Sequence, residues 1–193
     1  FLGKMPLSRF EEERPAEYRR LVEEGRLPAG MQKALADVEK RGNPWGKMEK
    51  KRSDWVKEVA EEAPIKLFEK GATADTLYFV DSISSYDDRM QGIAQATGRI
   101  LSKAGIDFGI LGTRESCCGE SIRKTGNEEV FKALARENIK TFVDHGVKKI
   151  LVASPHCYHT FKNEYPEFMV NFEVVHIAQY VSALIDEGRL ELT

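Results

Sequence analysis

Cysteine is scarce, with three in 193 residues. So low and odd a count, with no signal-peptide pattern at the start, argues against a disulfide framework and for a reducing, cytoplasmic setting. Long hydrophobic runs are missing too: none approaches the about 20 apolar residues that a spanning helix needs. Any membrane association would therefore come through partner subunits. Neither sign of charge dominates. Lys and Arg number 29 against 31 Asp and Glu, for a net charge of −2, which excludes the basic footprint of a nucleic-acid binder. A Gly-rich phosphate loop is absent, since Gly112, Gly119 and Gly126 do not have its spacing and Gly98 falls inside a helical pattern. The length suits one good core, or one domain with an arm of helices. The chain opens on Phe1 rather than Met and ends without a Gly or Pro stop, which reads as a segment of a longer protein.

Residues 1–70 are rich in charge and poor in strand formers, with apolar residues at helical spacing (Tyr18, Leu21, Val22; Met31, Leu35, Val38). They are expected to form a helical arm cut by Pro6, Pro15, Pro28 and Pro44, with Trp45 and Trp55 packing on another domain or a partner. Its last helix should start at the N-cap Ser53 and run through Trp55, Val56 and Val59 to Ala63, where Pro64 stops it. The basic run 47–52 is interrupted by Met48 and Glu49 and reads as a solvated loop. From Thr76 onward strands alternate with helices. Strands are expected at 77–80, 108–111, 150–153 and 172–176, and helices at 87–104, from the N-cap Asn127 to Gly146, at 158–165 and at 179–187. Met90, Ile93, Ala94, Thr97, Ile100 and Leu101 should form the inner face of the first of these helices. Right-handed βαβ crossovers then give an α/β domain over 75–193: an open four-stranded parallel sheet with helices on both faces.

The chemistry lies at the strand exits. Glu115-Ser116-Cys117-Cys118-Gly119-Glu120 follows the second strand, and Ser154-Pro155-His156-Cys157 follows the third. Parallel strands open at one edge, where such folds place their sites, so the three cysteines should meet there. Thiolates are soft ligands that suit iron–sulfur clusters, zinc and copper(I). Three thiolates with His156, His159 or His176 would make a closed zinc site. A cysteine nucleophile paired with His156 or His176 is a further possibility, without an oxyanion-hole signature to support it. The plainer alternative is a reduced, buried pair with no ligand.

Taken together, Asn43-Pro44-Trp45-Gly46, Leu77-Tyr78-Phe79-Val80, 107–112, Glu115-Ser116-Cys117-Cys118-Gly119, Gly126-Asn127-Glu128 and Pro155-His156-Cys157-Tyr158 resemble the iron–sulfur oxidoreductases with cysteine-rich CCG domains, related to the B and D components of heterodisulfide reductase. The resemblance covers about residues 40–190. It implies a Rossmann-like CCG domain and an electron-transfer role. In the family one cysteine follows the first strand, two lie in Cys-Cys-Gly and two in a Cys-Pro-His-Cys loop, and together they hold a non-cubane 4Fe-4S cluster. Cys117, Cys118 and Cys157 match that pattern. Asp81-Ser82 and Ser154 stand where the other two cysteines are expected, so Ser82 and Ser154 are lost or weakened ligands, because a serine hydroxyl gives up its proton far less readily than a thiol. Two outcomes follow: an electron-transfer module with a complete or incomplete cluster, or a degenerate CCG domain acting as a scaffold. The resemblance also implies ferredoxin-like and second CCG domains, in this chain or another, and other redox subunits as partners.

Overall fold

The computed structural model of the protein describes residues 51–191. Trp45 and the expected arm before residue 51 lie outside the described residues. The centre is a parallel sheet of β1 (Lys66–Leu67), β2 (Thr76–Phe79), β3 (Phe108–Ile110), β4 (Lys149–Val152) and β5 (Glu173–His176), in the order β1-β3-β2-β4-β5. Tyr78 pairs with Leu151, and Ile150 with Val174. The sheet is open, as expected, with five strands rather than four. Lys66–Leu67 is too short to show a period, and only its pairing with Gly109 and Ile110 makes it a strand.

Side chains alternate across β2 as the period of two requires. Leu77 and Phe79 enter one core with Phe131, Ala135 and Phe142 of α5 (Glu128–Asp144). Tyr78 and Val80 enter a second core on the opposite face, with Ala94 and Leu101 of α3 (Gln91–Lys103). Trp55, Val56, Val59 and Ala63 complete that second core. The segment 51–70 therefore corrects the arm expectation: α1 (Val56–Val59) lies against the sheet, and Trp55 is 1% exposed within this domain. Gly98 makes this possible, because a Cβ there would stand 2.9 Å from Ile65 Cδ1 and 4.0 Å from the Trp55 ring.

The helix expected over 87–104 is α3, which starts at Gln91 after a turn in which Asp87 accepts hydrogen bonds from the Arg89 and Met90 amides, and a separate short helix, α2 (Ser82–Tyr86), precedes it. Ala94, Thr97, Gly98 and Leu101 face the core. Ile93 is 40% exposed; it and Ile100 line an open groove with Ile177 and Val181 of α7 (Ile177–Asp186). Asn127 caps α5 by accepting from the Val130 amide. After β4 come α6 (Pro155–His159), a π-helical turn (Thr160–Glu164) and a 3-10 turn (Tyr165–Phe168).

Candidate metal centre

β2, β3 and β4 all end at one edge of the sheet, and their loops carry the expected site residues. Beyond β3 the chain turns through Gly112–Arg114 into the cysteine pair and then α4 (Glu120–Lys124). Gly119 allows that turn: its φ is +91°, and a Cβ would stand 2.8 Å from the Phe131 ring. The Cys157 thiol, on α6, contacts the Cys118 thiol at 3.2 Å between sulfurs, and both residues are buried. Cys117, the neighbour of Cys118 in the loop, is exposed. The Cys118 and Cys157 sulfurs thus meet directly, and Cys117 stands next to Cys118 in the same loop. Ser154 is the N-cap of α6, its hydroxyl accepting from the Cys157 amide at 3.4 Å, with Pro155 in the first turn. Ser82 opens α2 at the same edge, half-buried, just after the N-cap Asp81. Among the described residues no hydrogen bond joins Ser82 to a thiol.

Two of the thiols, Cys117 and Cys118, are held toward the neutral form. The hydrogen bond with Cys118, then burial, push the Cys117 thiol well above the ordinary thiol range. For Cys118 the bond with Cys117 acts downward, but the contact with Cys157 and burial outweigh it and carry the thiol up. A raised folded-state pKa means that both states are protonated below about pH 8.5, while above it the unfolded chain ionises first. The iron-free protein is therefore expected to lose stability as pH rises from about 8 to 9.5. Urea midpoints across that window check this. The triple variant C117S/C118A/C157A should show a flatter profile, and an equal slope would contradict the cause given.

Two polar clusters hold the loops, and composition did not reveal them. Glu115, its side chain 1% exposed, accepts from the Val80 and Asp81 amides at 2.9 Å each and from the Arg52 guanidinium. Arg52 is therefore not part of a solvated loop: it is buried and lies over the Tyr86 ring at 5.4 Å. Burial opposes the Arg52 charge, and Glu115 more than offsets this and raises the arginine pKa. Asp81 has φ 69° and ψ 168°, a backbone region that side chains avoid. Its carboxylate caps α2, accepting from the Ser84 amide at 2.9 Å. Burial raises the Asp81 pKa. The second cluster is Asn138 and Tyr165. Asn138 Nδ2 donates to the Cys117 carbonyl and to the Tyr165 hydroxyl at 2.9 Å each, and its Oδ1 accepts from Ser116 at 2.8 Å. The Tyr165 hydroxyl donates to the Cys118 carbonyl at 3.2 Å. The sequence signal for Asn138 was a polar residue in the apolar stripe Phe131, Ala135, Phe142.

The histidines do not join the thiols. Both ring nitrogens of His176 are engaged, with the Ala153 carbonyl and the Ala178 amide. His156 meets Glu120, and His159 meets Asn163. Among the described residues no group of three or more His, Cys, Asp or Glu is arranged to hold a metal ion. A zinc site of three thiolates and one imidazole thus has no fourth ligand in place. The donor set that does converge is sulfur alone, which fits an iron–sulfur centre in kind. Its count of three falls short of the five thiolates of the family pattern.

Residues 83–162 match the family described as the cysteine-rich domain, CCG. The chain is 38% identical over 169 residues to the EtfAB:quinone oxidoreductase of Syntrophomonas wolfei, covering 87% of this chain and 24% of that protein. It is 39% identical over 173 residues to the probable iron-sulfur-binding oxidoreductase FadF of Bacillus subtilis (88% and 24%). To one component of the dihydromethanophenazine:CoB--CoM heterodisulfide reductase of Methanosarcina barkeri it is 34% identical (89% and 41%). The chain thus spans between about a quarter and two fifths of the length of these relatives. No solved structure matches it. None of the helices in the described residues is long and apolar enough to cross a membrane. It is residues 83–162, with the Cys-Cys-Gly loop and Cys157 at one sheet edge, that match the cysteine-rich domain, CCG.

Proposed function

We propose that the domain is an electron-transfer module of a heterodisulfide-reductase-like oxidoreductase, with Cys117, Cys118 and Cys157 as ligands of an iron–sulfur centre. The observation that carries this is the meeting of the Cys118 and Cys157 sulfurs at 3.2 Å from segments 39 residues apart, with Cys117 next to Cys118 in the same loop. A bound iron–sulfur centre supplies one-electron transfer. The protein residues would contribute soft anionic ligands, two of them buried, and backbone donors to the sulfurs. The relatives are named as iron–sulfur and quinone or heterodisulfide oxidoreductases, which supports this role. Ferredoxin-like and second CCG domains, together with other redox subunits, are its partners in this reading. Three unpaired cysteines suit the cytoplasm; contact with a membrane would come through those subunits.

A second reading, a degenerate domain that docks cluster-bearing domains without a cluster of its own, is favoured by Ser154. Its hydroxyl is committed to capping α6, and Ser82 stands at the other changed position. Anaerobic reconstitution of the full-length protein decides between them, with iron and sulfide analysis and an electron paramagnetic resonance spectrum. The wild type should carry one more iron–sulfur signal than the C118A and C157A variants. Equal iron and sulfide in all three proteins, with unchanged spectra, would establish the scaffold.

A further inference from the structure

We propose that Tyr165 and Asn138 are positioning residues that aim the backbone N–H groups of the Cys-Cys-Gly loop at the thiol sulfurs, and so set how readily the centre accepts an electron. This rests on the electron-transfer reading above. The starting observation is a buried amide on an apolar helix face: Asn138 is 1% exposed, between Ala135 and Phe142. Such a group destabilises the fold unless its bonds are made. Asn138 makes both donor bonds and an acceptor bond, and all lead to one loop: Ser116, the Cys117 carbonyl and, through Tyr165, the Cys118 carbonyl.

The consequence follows from the peptide plane. In a trans peptide the C=O and N–H point in opposite directions. Tyr165 holds the Cys118 carbonyl inward, so the N–H of the same peptide, that of Gly119, points the other way. There it donates to Cys117 Sγ at 3.4 Å. Hydrogen bonds to cluster sulfurs favour the more negative, reduced state and raise the potential. Tyr165 is suited to this because its place in the chain joins the two ligand segments. It follows the π-helical turn that continues from the helix of Cys157, while its hydroxyl reaches the loop of Cys117 and Cys118. Its ring is fixed independently, edge-on to Phe161 at 4.8 Å and to Phe131 at 6.3 Å. Removing the hydroxyl alone should leave that packing in place.

The test uses Tyr165→Phe and, as a second variant on a different element, Asn138→Leu, both in the full-length protein. Without iron, amide hydrogen exchange of the segment 117–120 should be about tenfold faster in each variant, with exchange in β2 and β4 unchanged. After reconstitution, the reduction equilibrium of this centre should shift about tenfold against the reduced form, a change of about 59 mV to more negative potential for one electron. A residue that merely fills space would move neither quantity in Tyr165→Phe. Unchanged exchange at 117–120 overturns the positioning role, and faster exchange with an unchanged potential overturns its effect on the centre. A wild-type protein that takes up no iron at this site sinks the electron-transfer reading and with it the effect on potential, while the exchange measurement still decides the loop geometry.

Discussion

Glu115→Gln is expected to cost the folded domain about 3–5 kcal/mol, the penalty of leaving a buried charge without its partner. The side chains of Arg52 and Glu115 are 6% and 1% exposed, so water cannot replace the lost carboxylate. The same carboxylate also accepts the Val80 and Asp81 amides, and a glutamine can accept only with its one oxygen. One of these amides would be left facing an NH2 group. Asp81 would lose part of the hold that keeps its backbone at φ 69°, a strain of about 1–3 kcal/mol. Arg52→Met should also be costly because it leaves the buried Glu115 carboxylate without its cation, with only the Val80 and Asp81 amides as partners. The double variant R52M/E115Q removes both charges and should cost clearly less than the sum of the single changes. Urea midpoints of the four proteins measure the cycle. Additive costs, or single costs below about 1 kcal/mol, would show that the pair does not hold the edge together.

The same pair shows where sequence reasoning stopped. Arg52 closes a basic run that composition reads as solvated, and only the fold brings it to a carboxylate 63 residues away. Trp55 was expected to pack outside its arm, but its partners were not legible, for a related reason. Its short helix has too few apolar residues to bury itself, and its partners Tyr78, Ala94 and Leu101 lie on elements that no local period connects to it. What was legible had either a period or a punctuation mark. Leu77, Phe79, Tyr78 and Val80 alternate, Asn127 caps, and the cysteine pair stands at a strand exit followed by a glycine that must take positive φ. That the loops of Cys118 and Cys157 open at one edge followed from parallel strands. Asn138 and Tyr165 did not follow, because an asparagine in an apolar stripe does not say which carbonyls it will bind.

The last expected result concerns the two serines. Converting both Ser82→Cys and Ser154→Cys should raise the iron and sulfide bound by the reconstituted full-length protein above the wild-type content, with each single variant giving less. Ser154 is one helical turn from Cys157 and already points its hydroxyl at that residue's amide, so a thiol in its place would lie beside the cluster of sulfurs. The replacement also removes the N-cap of α6, at a cost of about 1 kcal/mol. The iron-free double variant should therefore unfold at a lower urea concentration than the wild type, even as its iron-loaded form gains, since ligand binding to the folded state alone adds stability. Ser82 lies at the same edge behind Asp81, whose backbone Glu115 fixes; its contribution depends on that loop staying in place, and E115Q should abolish the gain from Ser82→Cys. Metal content and urea midpoints, read with and without iron, separate these effects. A double variant that binds no more iron and sulfide than the wild type would show that neither position supplies a ligand, and that any centre here is built on Cys117, Cys118 and Cys157 with donors from outside this domain.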